Sequence, residues 1–268
     1  MTKISIITPT YNAEKFLENN IKNILSQKFY DIEHILIDAM SNDNTLNIVN
    51  KYRDHFSKVI IEKDFGIYDG MNKGIVAAQG EMIGILNADD YYNKEALSSI
   101  MATYEQSQNK DIIIYGDMNI QYKKTSLLSR GDLSDDAFKK GQFKLNHPAT
   151  FVAKSVYKNI GLFNIKYTSG ADREFLLRAY HNKIKFLKIE KPLATFSVGG
   201  FTSSYSLKII IDRTREEFQI FKKYYPKSYA IKKSMYHFLR MLRNAFFVFF
   251  LGRENFLKIR IKWLLKND

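Results

Sequence analysis

Met82-Ile83-Gly84-Ile85-Leu86-Asn87-Ala88-Asp89-Asp90 is an apolar run that ends on acids, and its reading decides the fold. Five apolar or glycine residues in a row suit a strand buried on both faces, as in a parallel sheet. Open α/β sheets bind ligands outside the carboxyl ends of their strands. Two adjacent carboxylates at such an end repel each other unless a cation or solvent relieves them. Oxygen ligands of this kind suit Mg²⁺ or Mn²⁺, shared with substrate phosphates. The plainer alternative is an Asp-Asp turn capping the next helix.

Toward the N-terminus the same strand–helix alternation repeats. Ile4–Thr8 reads as a strand, followed by a helix carrying Phe16, Leu17, Ile21, Ile24 and Leu25 at helical spacing. His34–Asp38 is the second strand. Asn44 or Asp43 then caps a helix bearing Leu46, Ile48, Val49 and Tyr52. Val59–Ile61 is the third strand, and a helix over Tyr68–Gln79 stops at Gly80, placed as a C′ glycine. Three strand ends thus present polar groups: Thr10-Tyr11-Asn12, Asp38 and Asp89-Asp90.

Downstream the order changes. Ile112–Tyr115, Met118–Tyr122 and Thr125–Arg130 read as separate strands with hairpin-like links, and Lys185–Lys188 with Leu193–Ser197 as another pair. A helix opens near Asp172, and beyond 206 the chain reads as helical. The domain reading is a catalytic domain over 1–205, with a nucleotide-binding half at 1–90 and an acceptor half at 91–205. A helical extension over 206–268 follows.

Composition narrows the function classes. The 268 residues are 45% hydrophobic and 26% charged, ordinary for a globular chain. The absence of cysteine excludes disulfides, thiolate metal sites and a cysteine nucleophile. No signal-peptide core opens the sequence. The longest apolar run, Ala245 to Leu251, falls far short of the roughly 20 residues that span a bilayer. The expectation is a soluble, cytoplasmic protein. No Gly-x-Gly-x-x-Gly, Walker A or His-Glu-x-x-His pattern occurs, so redox, P-loop and zinc-protease chemistry lack their usual footing.

Individual residues carry two readings each. Asp38 either anchors its turn or accepts hydrogen bonds from a nucleoside. Asp172 either caps a helix whose buried stripe is Phe175, Leu176 and Ala179, or points into a cleft as a general base. His147, before Pro148, is either a structural histidine or part of a site.

Taken in order, several blocks over roughly residues 3–200 resemble the family 2 glycosyltransferases. They are Ile4-Ser5-Ile6-Ile7-Thr8-Pro9-Thr10-Tyr11-Asn12, Ile24-Leu25-Ser26-Gln27, Leu36-Ile37-Asp38-Ala39-Met40-Ser41-Asn42-Asp43-Asn44-Thr45, and Leu86-Asn87-Ala88-Asp89-Asp90. Asp64-Phe65-Gly66-Ile67-Tyr68-Asp69-Gly70-Met71-Asn72-Lys73-Gly74 resembles a subgroup used in bacterial surface polysaccharide assembly, and His147-Pro148-Ala149-Thr150-Phe151 with the Asp172 segment resembles the acceptor side. Three positions depart from many relatives: Ala39 replaces a second acid, Met71 an arginine, and Asn87 the first acid of the DxD block.

The resemblance implies a GT-A fold, a Rossmann-like mixed sheet flanked by helices. It implies inverting transfer of a sugar from a nucleotide-sugar donor, a UDP-sugar by preference, to an acceptor hydroxyl. The family pattern puts Pro9, Tyr11, Asn12, Glu14, Asp38, Lys63, Asp64, Asn72, Asn87 and Asp89 on the donor and His147 on the acceptor side. Asp172 is the implied base. Asp89, with Asp90 second, is the implied ligand of a divalent metal, Mn²⁺ or Mg²⁺. Gly199-Gly200-Phe201-Thr202-Ser203 reads as a loop closing over the donor or as a plain surface turn.

The net charge is +13, and residues 232–268 hold nine Lys/Arg against two acids. Met235, Phe238, Leu239, Leu242, Phe246, Phe249 and Phe250 recur there every three or four residues, an amphipathic helix broken near Gly252. Its expected partner is an anionic membrane surface on the cytoplasmic side, with a lipid-linked or growing glycan as acceptor. The alternative is packing on the catalytic domain. Nucleic acid is disfavoured, because the basic excess sits in an apolar tail and not in a stripe on the main domain. A catalytically silent nucleotide-sugar-binding scaffold is the rival function.

Overall fold

The computed structural model describes residues 4–27, 29, 31–198 and 206–267, with side chains as far as 261. The Gly199–Ser203 stretch, expected as a loop over the donor, lies outside the described residues. The chain divides into two compact units. One holds the described residues up to 166 and 171–198; the other holds 167–170 and the described residues from 206 onward.

In the first unit, β1 (Ile4–Thr10), α1 (Leu17–Leu25), β2 (Ile32–Asp38), α2 (Thr45–Lys51), β3 (Lys58–Ile61), α3 (Ile67–Ala77) and β4 (Met82–Ile85) alternate. Next come β5 (Tyr91–Tyr92), α4 (Ala96–Gln106), β6 (Ile112–Tyr122), β7 (Thr125–Ser129), α5 (Asp135–Lys139), β8 (Thr150–Ala153), α6 (Lys154–Ile160), α7 (Ala171–His181) and β9 (Lys185–Ser197). The sheet order is β3-β2-β1-β4-β8-β6-β9-β5, with β7 on β6. The first four strands are parallel, and the sheet becomes mixed where β8 joins β4 antiparallel.

The apolar runs of β1, β2 and β4 are buried throughout their lengths except at Pro9 and Ile32. Helix α3 lies close over β1, because a Cβ at Gly74 would sit 2.3 Å from Ile7 Cγ2. Gly80 does not end α3 as a C′ glycine. The helix stops at Ala77, Ala78 turns extended, and Gly80 follows with its N–H donating to Ser5 Oγ at 2.8 Å. A Cβ there would meet the Ser5 backbone nitrogen at 2.7 Å, so glycine serves close approach and not a left-handed turn.

Two expected strand breaks are bulges. Ile112–Tyr115 and Met118–Tyr122 are one strand, β6, and Lys185–Lys188 and Leu193–Ser197 are one strand, β9. Their register shifts at Gly116, Asp117 and Met118, where the partner advances from Ile189 to Pro192 and Ala194. A bulge keeps two strands paired while absorbing extra residues, which a pattern of alternation reads as a break.

The second unit contains α8 (Leu207–Tyr224) and α9 (Lys227–Asn267), with non-helical geometry at Gly252 (φ 73°) as the sequence suggests. Ser206 Oγ caps α8 by accepting the Ile209 N–H. Phe221 stacks on Tyr225 at 5.4 Å, and Ile220, Phe221, Ala230 and Met241 are buried. Among the described residues no helix is long and apolar enough to cross a membrane.

Candidate active site

Strands β2, β1 and β4 are neighbours, so their carboxyl ends bring three loops to one edge. The first two are fastened to each other. The Asn12 N–H donates to Ser41 Oγ (2.9 Å), and the Asn42 N–H donates to Asn12 Oδ1 (3.0 Å). The Ala13 N–H donates to Thr45 Oγ1 (2.8 Å), the Glu14 N–H to Asp43 Oδ2 (3.2 Å) and the Asn44 N–H to Glu14 Oε2 (3.0 Å). Asn12 and Met40 hold left-handed φ of 51° and 62°, which this crossed arrangement enforces. Asn44 occupies the cap position of α2 without a capping bond; Asp43 Oδ1 instead accepts the Thr45 N–H.

Asp38 lies beneath this interlock with no exposed surface. Its Oδ2 accepts from Thr10 Oγ1 (2.8 Å) and Ser41 Oγ (2.7 Å), and Oδ1 accepts the Ser41 N–H (2.7 Å). The anchoring reading of Asp38 is therefore satisfied in full. Asn12 and Glu14 likewise bind loop to loop, whereas Tyr11 stands 58% exposed beside half-buried Pro9.

The third loop carries the acids. Asp89 is partly exposed, and burial raises its pKa. Asp90, expected as a second metal ligand, has no accessible surface; its oxygens accept from the Ser197 N–H and from Asn87 Nδ2, both at 3.3 Å. Burial first, then the Asp89 charge, pushes Asp90 up to about 8. It is fully buried and already hydrogen-bonded, whereas Asp89 beside it keeps exposed surface. Asn87 Oδ1 is buried without a partner. A cation fits Asp89 on these grounds: two carboxylates held above their usual range and an orphaned oxygen share one turn. Among the described residues no three acidic or histidine side chains converge on an ion, so such a cation would need ligands from a bound phosphate.

The sequence reading overlooked the struts of this turn. Asn20 of α1, fully buried, donates through Nδ2 to the Asn87 and Asp90 carbonyls at 3.0 and 3.1 Å. Asn23 pairs twice with the Tyr92 backbone. The signal was an asparagine inside the apolar stripe Leu17, Ile21, Ile24, a polar group that only a tertiary partner makes affordable.

After β3 the loop at 62–66 is tied down by α3. Lys73 Nζ donates to the Lys63 carbonyl (2.8 Å) and meets Glu62 and Asp69 at 3.1 and 3.4 Å. Asp64 Oδ1 accepts the Gly66 N–H; Lys63 itself is exposed. Asn72 faces elsewhere. Its amide pairs reciprocally with the Phe163 backbone, Nδ2 to the carbonyl at 2.9 Å and Oδ1 from the N–H at 3.0 Å, so it braces the 160–163 segment.

That brace leads to the residues expected on the acceptor side. Phe163 lies 5.5 Å from the Tyr68 ring and 5.2 Å from Phe175. From α7, Arg178 donates to the Ile160 carbonyl and to Leu162 (2.6 Å) while pairing with buried Glu174 at 3.2 Å. His147, Thr150, Phe163, Asp172 and Phe175 line one small pocket. His147 Nδ1 stands 3.8 Å from Asp172 Oδ2, and its Nε2 is buried without a partner. Burial lowers the His147 pKa against the opposing pull of Asp172, so the ring is neutral at pH 7. The Tyr68 hydroxyl faces Asp172; burial, then that negative charge, pushes its ionisation up. Asp172 is the second residue of α7, not its cap, and its Oδ1 accepts the Arg173 N–H at 2.7 Å. The family resemblance put His147 and the Asp172 segment on one side, and the two stand 3.8 Å apart; it gave no role to Tyr68, whose ring sits in an ordinary-looking helix start.

A family model described as "Glycosyl transferase family 2" matches residues 5–175. Over 182 residues, 66% of this chain and 70% of the relative, the sequence is 31% identical to a PGL/p-HBAD biosynthesis glycosyltransferase of Mycobacterium bovis. Among solved structures the fold is similar to S. aureus TarS 1–349 in complex with UDP-GlcNAc, with a TM-score of 0.68 at 21% identity over 92% of this chain and 73% of that one. It is also similar to mannosyltransferase PcManGT from Pyrobaculum calidifontis in complex with GDP-Man and Mn²⁺. There the TM-score is 0.62 at 14% identity over 91% of this chain and 74% of that one. The GT-A fold expected from the sequence is the fold observed.

Proposed function

The chain belongs to glycosyl transferase family 2, and we propose that it transfers a sugar with inversion from a UDP-sugar to an acceptor hydroxyl of a lipid-linked or growing surface glycan. The observation that carries this reading is the pairing, on one unit, of a preformed polar cradle at the ends of β1, β2 and β4 with the His147–Tyr68–Asp172 cluster. The UDP preference draws on the TarS complexes with UDP-GlcNAc and UDP.

In this mechanism Tyr11 and the loop of Pro9, Asn12 and Glu14 receive the nucleoside, with Asp38 holding that loop in shape. Lys63 and Asp64 border the sugar-nucleotide from the neighbouring loop. Asp172 accepts the proton of the acceptor hydroxyl as the acceptor oxygen bonds to the anomeric carbon. The bond from that carbon to the diphosphate breaks, and its electron pair leaves on the diphosphate oxygen. A divalent cation, Mg²⁺ or Mn²⁺, held by Asp89 with the diphosphate would neutralise that charge as a Lewis acid. His147, neutral and buried, borders the acceptor side without adding charge.

The proposed site of action is the cytoplasmic face of a membrane. In support, Ile231, Met235, Leu239, Phe246, Phe249 and Phe250 are exposed, Phe249 by 82%. At 100° per residue they fall within one side of α9, beside Lys232 and Arg243. No acid occurs between 227 and 253. An apolar stripe with a basic margin suits an interface with anionic lipid.

The test is a screen of UDP-, GDP-, dTDP- and CMP-sugars with Mn²⁺ or Mg²⁺, with Asp89→Ala as control. Metal-dependent turnover of one donor, lost in the control, is the expected result. Calorimetry showing no metal-dependent binding of any nucleotide would replace this reading with the silent scaffold. Flotation with anionic vesicles at low salt tests the membrane surface; indifference of the full chain would remove it.

A further inference from the structure

Strand β4 leaves the sheet with the Leu86 N–H on the Ile7 carbonyl (2.9 Å), and pairing resumes at Tyr91, opposite Thr195 of β9. Asn87 to Asp90, between them, form a turn closed by the Asp90 N–H on the Asn87 carbonyl at 3.0 Å. Asp89 is its third residue, and the hydrogen bond that acts on its carboxylate comes from its own backbone. The turn therefore sets where that carboxylate stands. One side chain fastens both ends of it. Asn20 Nδ2 donates to the Asn87 carbonyl (3.0 Å) and to the Asp90 carbonyl (3.1 Å). Both bonds are shorter than the 3.3 Å pairs made by the Asp90 carboxylate, and hydrogen bonds weaken with distance. Asn20 has no exposed surface, and its Oδ1 is buried without a partner. A buried acceptor left unmade is destabilising; what the residue contributes lies in its donors, and both go to the turn.

We propose that Asn20 is a positioning residue for Asp89. It locks the turn to α1, and so fixes where the carboxylate meets a divalent cation and the donor's diphosphate. This rests on the reading of Asp89 as the cation's anchor. A single amide nitrogen on a packed helix sets the spacing of the two carbonyls and their distance from α1. A water in its place would bond them without that fixed link. Groups that orient a metal ligand from behind govern metal affinity without touching the metal. Such a frame matters most for Mg²⁺, which demands near-ideal octahedral geometry, and less for Ca²⁺, whose coordination is flexible. Asn23, three residues further along α1, pairs with the Tyr92 backbone at 2.9 and 2.8 Å. It holds β5, the strand after the turn, and makes the natural control.

Full-length wild type, Asn20→Leu, Asn20→Ala, Asn23→Ala and Asp89→Ala are compared by urea denaturation and by calorimetric titration with UDP. Each titration is run without metal and with Mg²⁺, Mn²⁺ or Ca²⁺. Asn20→Leu removes both donors at similar volume. Asn20→Ala leaves room for a water to bond the two carbonyls, so it isolates fixed placement and stands in if the leucine variant does not fold. The expected result for Asn20→Ala is metal-free UDP affinity within about twofold of wild type and a Mg²⁺ stimulation lower by about 10- to 100-fold, with a smaller loss for Ca²⁺. Asn23→Ala is expected to lower stability and keep the metal response. A wild-type metal response in Asn20→Ala, equal losses in the Asn20 and Asn23 variants, or equal losses for Mg²⁺ and Ca²⁺ overturn the inference and leave Asp89 as the anchor. A wild-type metal response in Asp89→Ala, or none in wild type, overturns the anchor and the inference with it.

Discussion

The loops after β1 and β2 and the pocket around Asp172 are built on opposite plans. In the loops, the side chains of Thr10, Asn12, Glu14, Asp38, Ser41, Asp43 and Thr45 are answered by one another or by the facing backbone. Asp38 collects three donors, and five further bonds lace the loops after β1 and β2 together. Around Asp172 the walls are Phe163, Phe175 and Tyr157, and His147 Nε2 is left without a partner. The difference is one of saturation. A saturated polar lattice is rigid and preformed, suited to holding a ligand; a pocket walled by rings with an unpartnered ring nitrogen leaves polar capacity unused.

The largest effect should break the acceptor side alone. Asp172→Asn is expected to lower kcat by about 10³-fold while calorimetry finds nucleotide binding unchanged; a loss of binding would mean that the two sides are not separable. Asp89→Asn attacks the other side. It is expected to lower kcat by about 10²-fold and to abolish metal-stimulated nucleotide binding, and undiminished stimulation would remove Asp89 as the metal's anchor.

Asp38→Ala sharpens the contrast through stability. It orphans the Thr10 and Ser41 donors in a site without solvent, which should cost about 2–4 kcal/mol in urea denaturation and weaken nucleotide binding with it. A stable variant that still binds would show the lattice to be dispensable.

Asp90→Asn gives the smallest effect and a pH signature. The folded pKa of Asp90, raised to about 8 by burial and by Asp89, lies above the usual carboxylate value. The unfolded chain therefore releases this proton first as pH rises, and wild-type stability is lost upward from about pH 4 toward 8. Without metal the variant should exceed wild type in stability at pH 8, and the gap should close on acidification to pH 4. A gap independent of pH would refute the neutral, supporting role of Asp90.

Much of this was legible beforehand because it follows from local pattern. The parallel half of the sheet, the acids after β4 and the break at Gly252 all come from short-range sequence. The misreadings share one cause, partners distant in the chain. β6 and β9 looked broken because a bulge shared between two strands 70 residues apart is invisible to either alone. Gly80 looked like a helix stop because Ser5, which crowds it, is 75 residues away. Nothing near Asn72 or Asp90 in sequence shows that the Phe163 and Ser197 backbones, distant in the chain, bond to them.

The sequence by itself determined the fold class, the family and the sheet edge at which polar and acidic strand ends gather. Apolar periodicity and the residue types at strand ends are local properties, and burial acts on them wherever the chain folds. Only the tertiary structure decided which carboxylates keep exposed surface and which are struts. Exposure and hydrogen-bond saturation depend on groups that meet from separate elements: Asn20 under Asp90, Tyr68 against Asp172.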